Sequence, residues 1–201
     1  MRAPAPWRLT GRGLVVAVWL PARQVGPLAG LAGPGAVMWV DYAESGVGPY
    51  GELLVARQVR TADGRRPHVS QIVVDSVDSV ENGRQNWEIP KTLATVSWSE
   101  DGTSASAEDE GGPLGRIVVR PWGPRLPVGL DWLPSRWRTL HQPRGELALR
   151  TTVRGSGGIR PCALTRFELP EARWPDLRGA RVLGAVVVSD FELIFPAAVT
   201  A

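Results

Sequence analysis

Clusters of glycine, proline and aspartate repeatedly cut this chain into short runs rich in valine, leucine and isoleucine. The clearest breaks are Gly33-Pro34-Gly35, Asp63-Gly64, Asp101-Gly102, Gly111-Gly112-Pro113 and Gly155-Ser156-Gly157-Gly158. Long helices do not fit between such breaks, whereas strands joined by turns do. We therefore expect strands over residues 14–20, 37–42, 52–59, 69–77, 94–99, 103–107, 116–121, 146–154, 159–169 and 181–195. A short helix is expected at 22–31, a helix or ordered loop at 82–93, and a long packed loop at 121–143, where prolines and tryptophans are dense. Many antiparallel strands with few short helices make the fold class mainly β (α+β with few short helices), a barrel or a sandwich. No linker divides the chain, so one domain over residues 1–201 is expected.

Several function classes are excluded early. The net charge of +3 and pI near 9.7 come from arginines scattered singly, with no basic run longer than Arg65-Arg66, so no nucleic-acid partner is expected. His68 and His141 lack a second ligand at metal spacing, and no metal or cofactor is expected. Cys162 is the one cysteine, which points to a reducing compartment. The apolar run at 14–20 is too short and starts too late for a secretory signal, and Asp190 and Glu192 interrupt the apolar C-terminal stretch. A cytoplasmic protein without membrane contact is expected.

Lys91 is the only lysine; the other 22 of the 23 basic residues are arginine. Arginine is almost always charged, whereas a lysine amine can lose its proton and attack a carbonyl. A position that kept lysine is a candidate for amine chemistry. Ile89, Pro90 and Trp87 stand close in sequence and offer apolar surroundings, and burial disfavours the ammonium form. The sequence thus predicts a lysine pKa lowered by desolvation.

The run Asn82-Gly83-Arg84-Gln85-Asn86-Trp87-Glu88-Ile89-Pro90-Lys91-Thr92-Leu93-Ala94 resembles the signature of the acetoacetate decarboxylase-like family, a Gly-Arg pair leading to Pro-Lys-Lys-Leu. The resemblance implies that Lys91 forms an imine. Met38-Trp39-Val40-Asp41 and Gly48-Pro49-Tyr50-Gly51-Glu52 resemble the strand and loop that carry the family's two active-site carboxylates, which makes Glu52 and Asp41 the candidates for proton transfer. Arg12 stands where the family has an active-site arginine. Arg84, Tyr50 and Trp87 complete the candidate substrate-binding set, and Glu44 is a weaker carboxylate candidate. The closing stretch 184–196 also resembles the family's last strand. The resemblance further implies an antiparallel closed barrel and assembly into a homo-oligomer. One departure stands out: Thr92 occupies the place of the family's second lysine. The expected function is a cofactor-independent Schiff-base lyase acting on a small β-keto acid, decarboxylated through an imine on Lys91. The alternatives are an imine-forming aldolase or dehydratase, and a non-catalytic small-ligand-binding protein on the same scaffold.

Overall fold

Strands in which both sets of alternate residues are apolar need cover on both faces, and that requirement shapes this fold. The computed structural model describes residues 2–201 and is mainly β. In chain order come β1 (Trp7–Leu20), β2 (Arg23–Val25), β3 (Leu28–Gly30), β4 (Gly33–Glu44), β5 (Tyr50–Thr61) and β6 (Gly64–Val74). Helix α1 (Val77–Trp87) follows, then β7 (Lys91–Leu93), β8 (Thr95–Trp98), β9 (Ser104–Asp109), β10 (Gly112–Pro121) and β11 (Leu126–Gly129). The chain ends with α2 (Ser135–Arg138), β12 (Thr139–Arg144), β13 (Leu147–Thr152), β14 (Arg154–Glu168), β15 (Arg181–Phe195) and β16 (Val199–Thr200).

The large sheet runs β2-β3-β5-β4-β1-β15-β14-β10-β9-β8, with β6 on β5, β7 on β6 and β11 on β14. A small sheet, β12-β13-β16, packs beside β6, where Gln142 Nε2 donates to Val69 O and His68 Nδ1 meets His141 O at 2.9 Å. Pairing is antiparallel except between β6 and β7, which run parallel with Ile72 opposite Lys91.

The β1–β4–β5 layer separates two cores. Leu14, Trp39, Leu53 and Val55 point into the first, with Ile117 and Trp174. Leu9, Val40, Tyr42, Tyr50 and Leu54 point into the second, with Trp87 and Phe191. The split follows strand alternation: neighbours such as Trp39 and Val40, or Leu53 and Leu54, belong to opposite faces.

Four expectations need correction. Gly155-Ser156-Gly157-Gly158 is not a break between strands, because it lies inside β14 and pairs with β15, Gly155 opposite Leu193 and Gly158 opposite Ser189. The barrel does not close: β7 and β8 are ends of the large sheet and no ladder joins them. They follow head to tail with only Ala94 between, so they cannot lie side by side; β7 pairs with β6 and β8 with β9. Residues 22–31 form no helix but the β2–β3 hairpin, because Gly26, at a φ of 54°, makes the tight turn ahead of Pro27. The stretch 121–143 is not a plain loop, since it carries β11, a 3₁₀ turn at Leu130–Trp132, α2 and most of β12. No helix of the described residues is long and apolar enough to cross a membrane.

Candidate active site

Lys91 reaches its place through a short helix and a sharp exit. The Ser76 hydroxyl caps α1 by accepting from Ser79 N at 3.2 Å, and Asp78 stands in the first turn, where the helix dipole favours an acid. The helix stops at Glu88, which adopts a left-handed conformation while its N–H bonds back to Arg84 O. Pro90 follows, and the chain enters β7 at Lys91.

The Gly83-Arg84 pair has a physical role here. A Cβ on Gly83 would lie 2.7 Å from Lys91 Cδ and 2.9 Å from Cε, so the lysine stem passes where any larger residue would put a side chain. Arg84 Nε donates to the Lys91 carbonyl at 2.8 Å and ties the backbone of β7 to α1.

The amine ends in a buried polar cage. Lys91 Nζ donates to Glu52 Oε2 at 2.9 Å, to Ser79 Oγ at 2.9 Å and to the Tyr50 hydroxyl at 3.2 Å. These three acceptors use all three ammonium hydrogens. The Nζ also lies 4.8 Å from the centre of the Tyr50 ring. Glu52 is held at both oxygens, because Oε1 accepts from the Tyr42 hydroxyl at 3.2 Å. Lys91 is 4% exposed and Glu52 3%.

This cage overturns the expected direction of the lysine shift. Burial does pull the Lys91 pKa down, but the Glu52 carboxylate and Tyr50 outweigh it and hold the amine above the ordinary lysine value. The neighbouring phenols are also shifted upward. Burial lifts Tyr42 well above the usual tyrosine value, with the Glu52 charge adding to it. For Tyr50, burial outweighs the opposing pull of Lys91.

Above the cage is a cavity of about 50 Å³ whose polar lining is Tyr42, Tyr50, Glu52 and Lys91. The rest of its wall is apolar and includes Leu54, Ile72, Trp87, Leu140 and Phe195. Trp87 packs edge-on to Trp7 and Phe195, with ring centroids 5.0 and 5.5 Å away, and donates its indole N–H to Pro196 O. The N-terminal segment is pinned over α1, since Ala3 bonds to Asn82, Asn86 and Trp7.

Of the residues singled out in the sequence, Lys91, Glu52, Tyr50 and Trp87 meet at this cavity, and Arg12, Asp41, Arg84, Glu44 and Thr92 do not. Asp41 sits beside Tyr42 but faces the other core, because Val40 is the residue opposite Glu52 in the β4–β5 register. Arg12 is paired with Asp41 on that same far side, its Nε 2.8 Å from the carboxylate and its guanidinium carbon 5.5 Å from the Trp98 ring. Arg84 is exposed and acts on the Lys91 backbone. Glu44 is exposed next to Thr10. Thr92, one residue from Lys91 on a strand, points away from the amine and donates to Ile72 O. Sequence reading missed Tyr42 and Ser79 as parts of the cage and gave Gly83 no role beyond its place in the motif. The alternation Val40-x-Tyr42 against Tyr50-x-Glu52, and the four-residue step from Ser79 to Gly83 on one helix face, were the signals that could have found them.

The comparisons agree with this placement of elements. The family model described as acetoacetate decarboxylase (ADC) matches residues 26–140. No curated protein matches the chain. Among solved structures, acetoacetate decarboxylase from Legionella pneumophila is similar at TM-score 0.75 and 12% identity, over 98% of this chain and 88% of that one. The enduracididine biosynthesis enzyme MppR is similar at TM-score 0.70 and 16% identity, over 98% and 88%. An acetoacetate decarboxylase-like enzyme from Sphingomonas wittichii RW1 follows at TM-score 0.70 and 14% identity, over 98% and 93%. At these identities the structures establish the fold. The family model, which spans more than half of the sequence and takes in Glu52, the whole of α1 and Lys91, shows that the chain belongs to the acetoacetate decarboxylase family.

Proposed function

We propose that this protein is a cofactor-independent Schiff-base enzyme that joins Lys91 to a small carbonyl compound and makes or breaks a carbon–carbon bond from that imine. The observation that carries the reading is the single buried amine at the floor of a cavity, 2.9 Å from a carboxylate that can take its proton. The raised lysine pKa means that the resting site holds an ammonium–carboxylate pair. Transfer of one proton from Nζ to Glu52 converts that pair into two neutral groups and frees the amine lone pair. Neutral groups suit an apolar cavity, so the chemistry needs no lysine that is neutral at rest.

The iminium then serves as an electron sink. Loss of carbon dioxide from a β-keto acid is one use of it, and gives the decarboxylase reading. A second reading, aldol-type bond formation from the enamine, draws support from MppR, which on this fold holds the condensation product of pyruvate and imidazole 4-carboxaldehyde. Glu52 moves the protons in both, Tyr42 and Ser79 hold the dyad in place, and Trp87 walls the substrate. A reducing, cytoplasmic setting and a homo-oligomeric state belong to the same proposal. The single free thiol, Cys162, supports the first.

Borohydride reduction in the presence of carbonyl compounds, followed by peptide mapping, tests the imine. A mass increase on Lys91 that disappears in Lys91→Arg is the expected result. A protein that binds such compounds but is never labelled at Lys91 would be a binding module instead.

A further inference from the structure

We propose that Tyr50 is a second catalytic residue of the imine chemistry: its hydroxyl passes one proton from the Lys91 nitrogen to the carbonyl oxygen of the substrate, while Glu52 carries the other. The proposal rests on the imine reading above and adds a role to it. Two things carry it: which of the groups bonded to Nζ face the cavity, and how many protons must move there.

Nζ donates to Glu52 Oε2 at 2.9 Å, to Ser79 Oγ at 2.9 Å and to the Tyr50 hydroxyl at 3.2 Å. Glu52 and Tyr50 line the cavity, whereas Ser79 is fully buried and forms no part of its wall. Tyr42 is on the wall, but its hydroxyl donates to Glu52 Oε1 and fixes that oxygen. A carbonyl arriving at Nζ therefore meets two groups already bonded to the reacting nitrogen, one carboxylate oxygen and one phenol. Burial keeps the Tyr50 pKa above the ordinary tyrosine value, so the phenol holds a proton to give. A hydroxyl both donates and accepts, and so can release one proton as it takes up another. A carboxylate that works through a single oxygen holds one proton at a time.

Imine formation moves two protons from nitrogen to oxygen. Lys91 first gives a proton to Glu52; the freed lone pair forms the N–C bond, and the C=O π pair moves onto oxygen. The adduct is N⁺H₂–C–O⁻. Its oxygen is two bonds from Nζ, within reach of a hydroxyl that is bonded to Nζ. Direct transfer would close a strained ring of only N, H, O and C, and one intervening hydroxyl widens that ring. Tyr50 gives its proton to O⁻, receives one from N⁺H₂, and is left unchanged beside a neutral carbinolamine. Glu52 then returns its proton to the C–OH group. The C–O bond breaks with its electron pair on the departing water, and the nitrogen pair forms C=N⁺H. The hydrogens of the ammonium end as one on the iminium and two on water, and the paired charges are the same before and after. Glu52 next takes a proton from the carbon α to the iminium, the C–H pair flowing into C=N⁺ to give the enamine, a step in which Tyr50 has no part.

The test compares the wild-type protein with Tyr50→Phe, using acetone or pyruvate, whichever labels Lys91 faster in the wild type. Exchange of an ¹⁸O-labelled keto oxygen with water, followed by ¹³C NMR, reads formation and hydrolysis of the imine. Deuterium uptake at the α-carbon in D₂O reads the later Glu52 step. In Tyr50→Phe, oxygen exchange and the rate of Lys91 labelling by borohydride should fall by about 10²-fold or more, while the deuterons taken up per oxygen exchanged should not fall. A structural role gives other signs. Loss of Tyr50 removes a group that holds the Lys91 pKa up, which by itself would speed labelling, and a loosened Lys91–Glu52 pair would lose deuterons per oxygen. Wild-type rates in Tyr50→Phe, or fewer deuterons per oxygen, would overturn the proposal while leaving the imine reading intact. Should the variant fail to fold, oxygen exchange by the wild type in H₂O–D₂O mixtures decides: a relay has two protons in flight, so the rate should follow a curve against deuterium fraction, and a straight line would overturn it. A wild-type protein that neither labels at Lys91 nor exchanges the oxygen would remove the imine reading and this proposal with it.

Discussion

The two faces of the β1–β4–β5 layer each carry a cation–carboxylate pair, and the pairs have nearly the same length. Arg12 and Asp41 meet at 2.8 Å on one face, Lys91 and Glu52 at 2.9 Å on the other. Their surroundings differ. The side chains of the first pair are 35% and 34% exposed, those of the second 5% and 4%. A third pair, Arg57 with Asp176, is as buried as the second, at 0% and 8%. Burial alone therefore does not mark the site. Lys91–Glu52 combines burial with a cation that can give up its proton and a cavity beside it, whereas an arginine stays charged and cannot serve as an amine nucleophile.

The largest expected effect breaks the comparison at this point. Lys91→Arg keeps the positive charge beside Glu52 and removes the nucleophile, so borohydride labelling and any turnover should fall to background while circular dichroism stays that of the folded protein. Glu52→Gln comes next. A proton-transfer group is worth about 10²-fold to 10⁴-fold in rate, and exchange of ketone α-protons should fall by that order. The same change removes the main force holding the amine pKa up and leaves the desolvation that pulls it down. The pH of half-maximal Lys91 labelling by an aldehyde should accordingly move downward, and an unchanged midpoint would place Glu52 outside the dyad.

What could be read from sequence divides along the same two faces. Lys91 stood out because it is the only lysine, and Glu52 and Tyr50 stood out through the loop motif, and all three meet at the cavity. Asp41 and Arg12 were placed on the wrong face. Their type and distance along the chain fit the motif, but the face of a strand residue depends on register, and a one-residue difference reverses it. Val40 opposite Glu52 is a fact of the β4–β5 hairpin that spacing alone does not supply. The direction of the lysine shift was lost for a related reason. Trp87 and Ile89 announce burial, but the three acceptors on Nζ come from one strand, β5, and one helix, α1, brought together by the fold. Most strands were legible from turn residues, whereas the open edges at β7 and β8 depend on which segments pair, a long-range choice.

The buried arginine pair sharpens the comparison from the structural side. Arg57 also donates to the carbonyls of Pro21 and Leu31 and so pins the β2–β3 hairpin. Arg57→Met leaves Asp176 uncompensated, and breaking a buried pair costs about 3–5 kcal/mol, a fall in Tm on the order of 10 °C for a chain of this size. Lys91 labelling per folded molecule should not change. A smaller effect comes from alkali. Lys91, Tyr42 and Tyr50 all have folded-state pKa values raised above their ordinary ones, so the stability they contribute is complete below about pH 10 and is lost as pH rises through the folded values. Urea midpoints should drop above about pH 10, and Tyr42→Phe should drop less steeply.

The smallest effect belongs to the half-buried pair, and its smallness is informative. Asp41 and Arg12 are the residues that the resemblance offered as a second carboxylate and a substrate-binding cation. If they reached the substrate, Asp41→Asn and Arg12→Gln would each cost orders of magnitude in rate. The geometry predicts otherwise: both side chains lie across the sheet from Lys91, Arg12 is further anchored to the carbonyls of Glu100 and Ser99, and pairs this exposed contribute about 0–1 kcal/mol. Either substitution should leave Lys91 labelling and ketone α-proton exchange within about twofold of wild type, with melting temperature shifted by a few degrees at most. The double variant Arg12→Gln/Asp41→Asn separates a weak direct role from an indirect one. Loss through the sheet should be partly restored when both charges go, because no lone charge is left against Trp98. Loss from contact with substrate should deepen. A hundredfold fall in exchange in Asp41→Asn, with the fold intact, would mean that the two faces communicate and that the site extends through the layer.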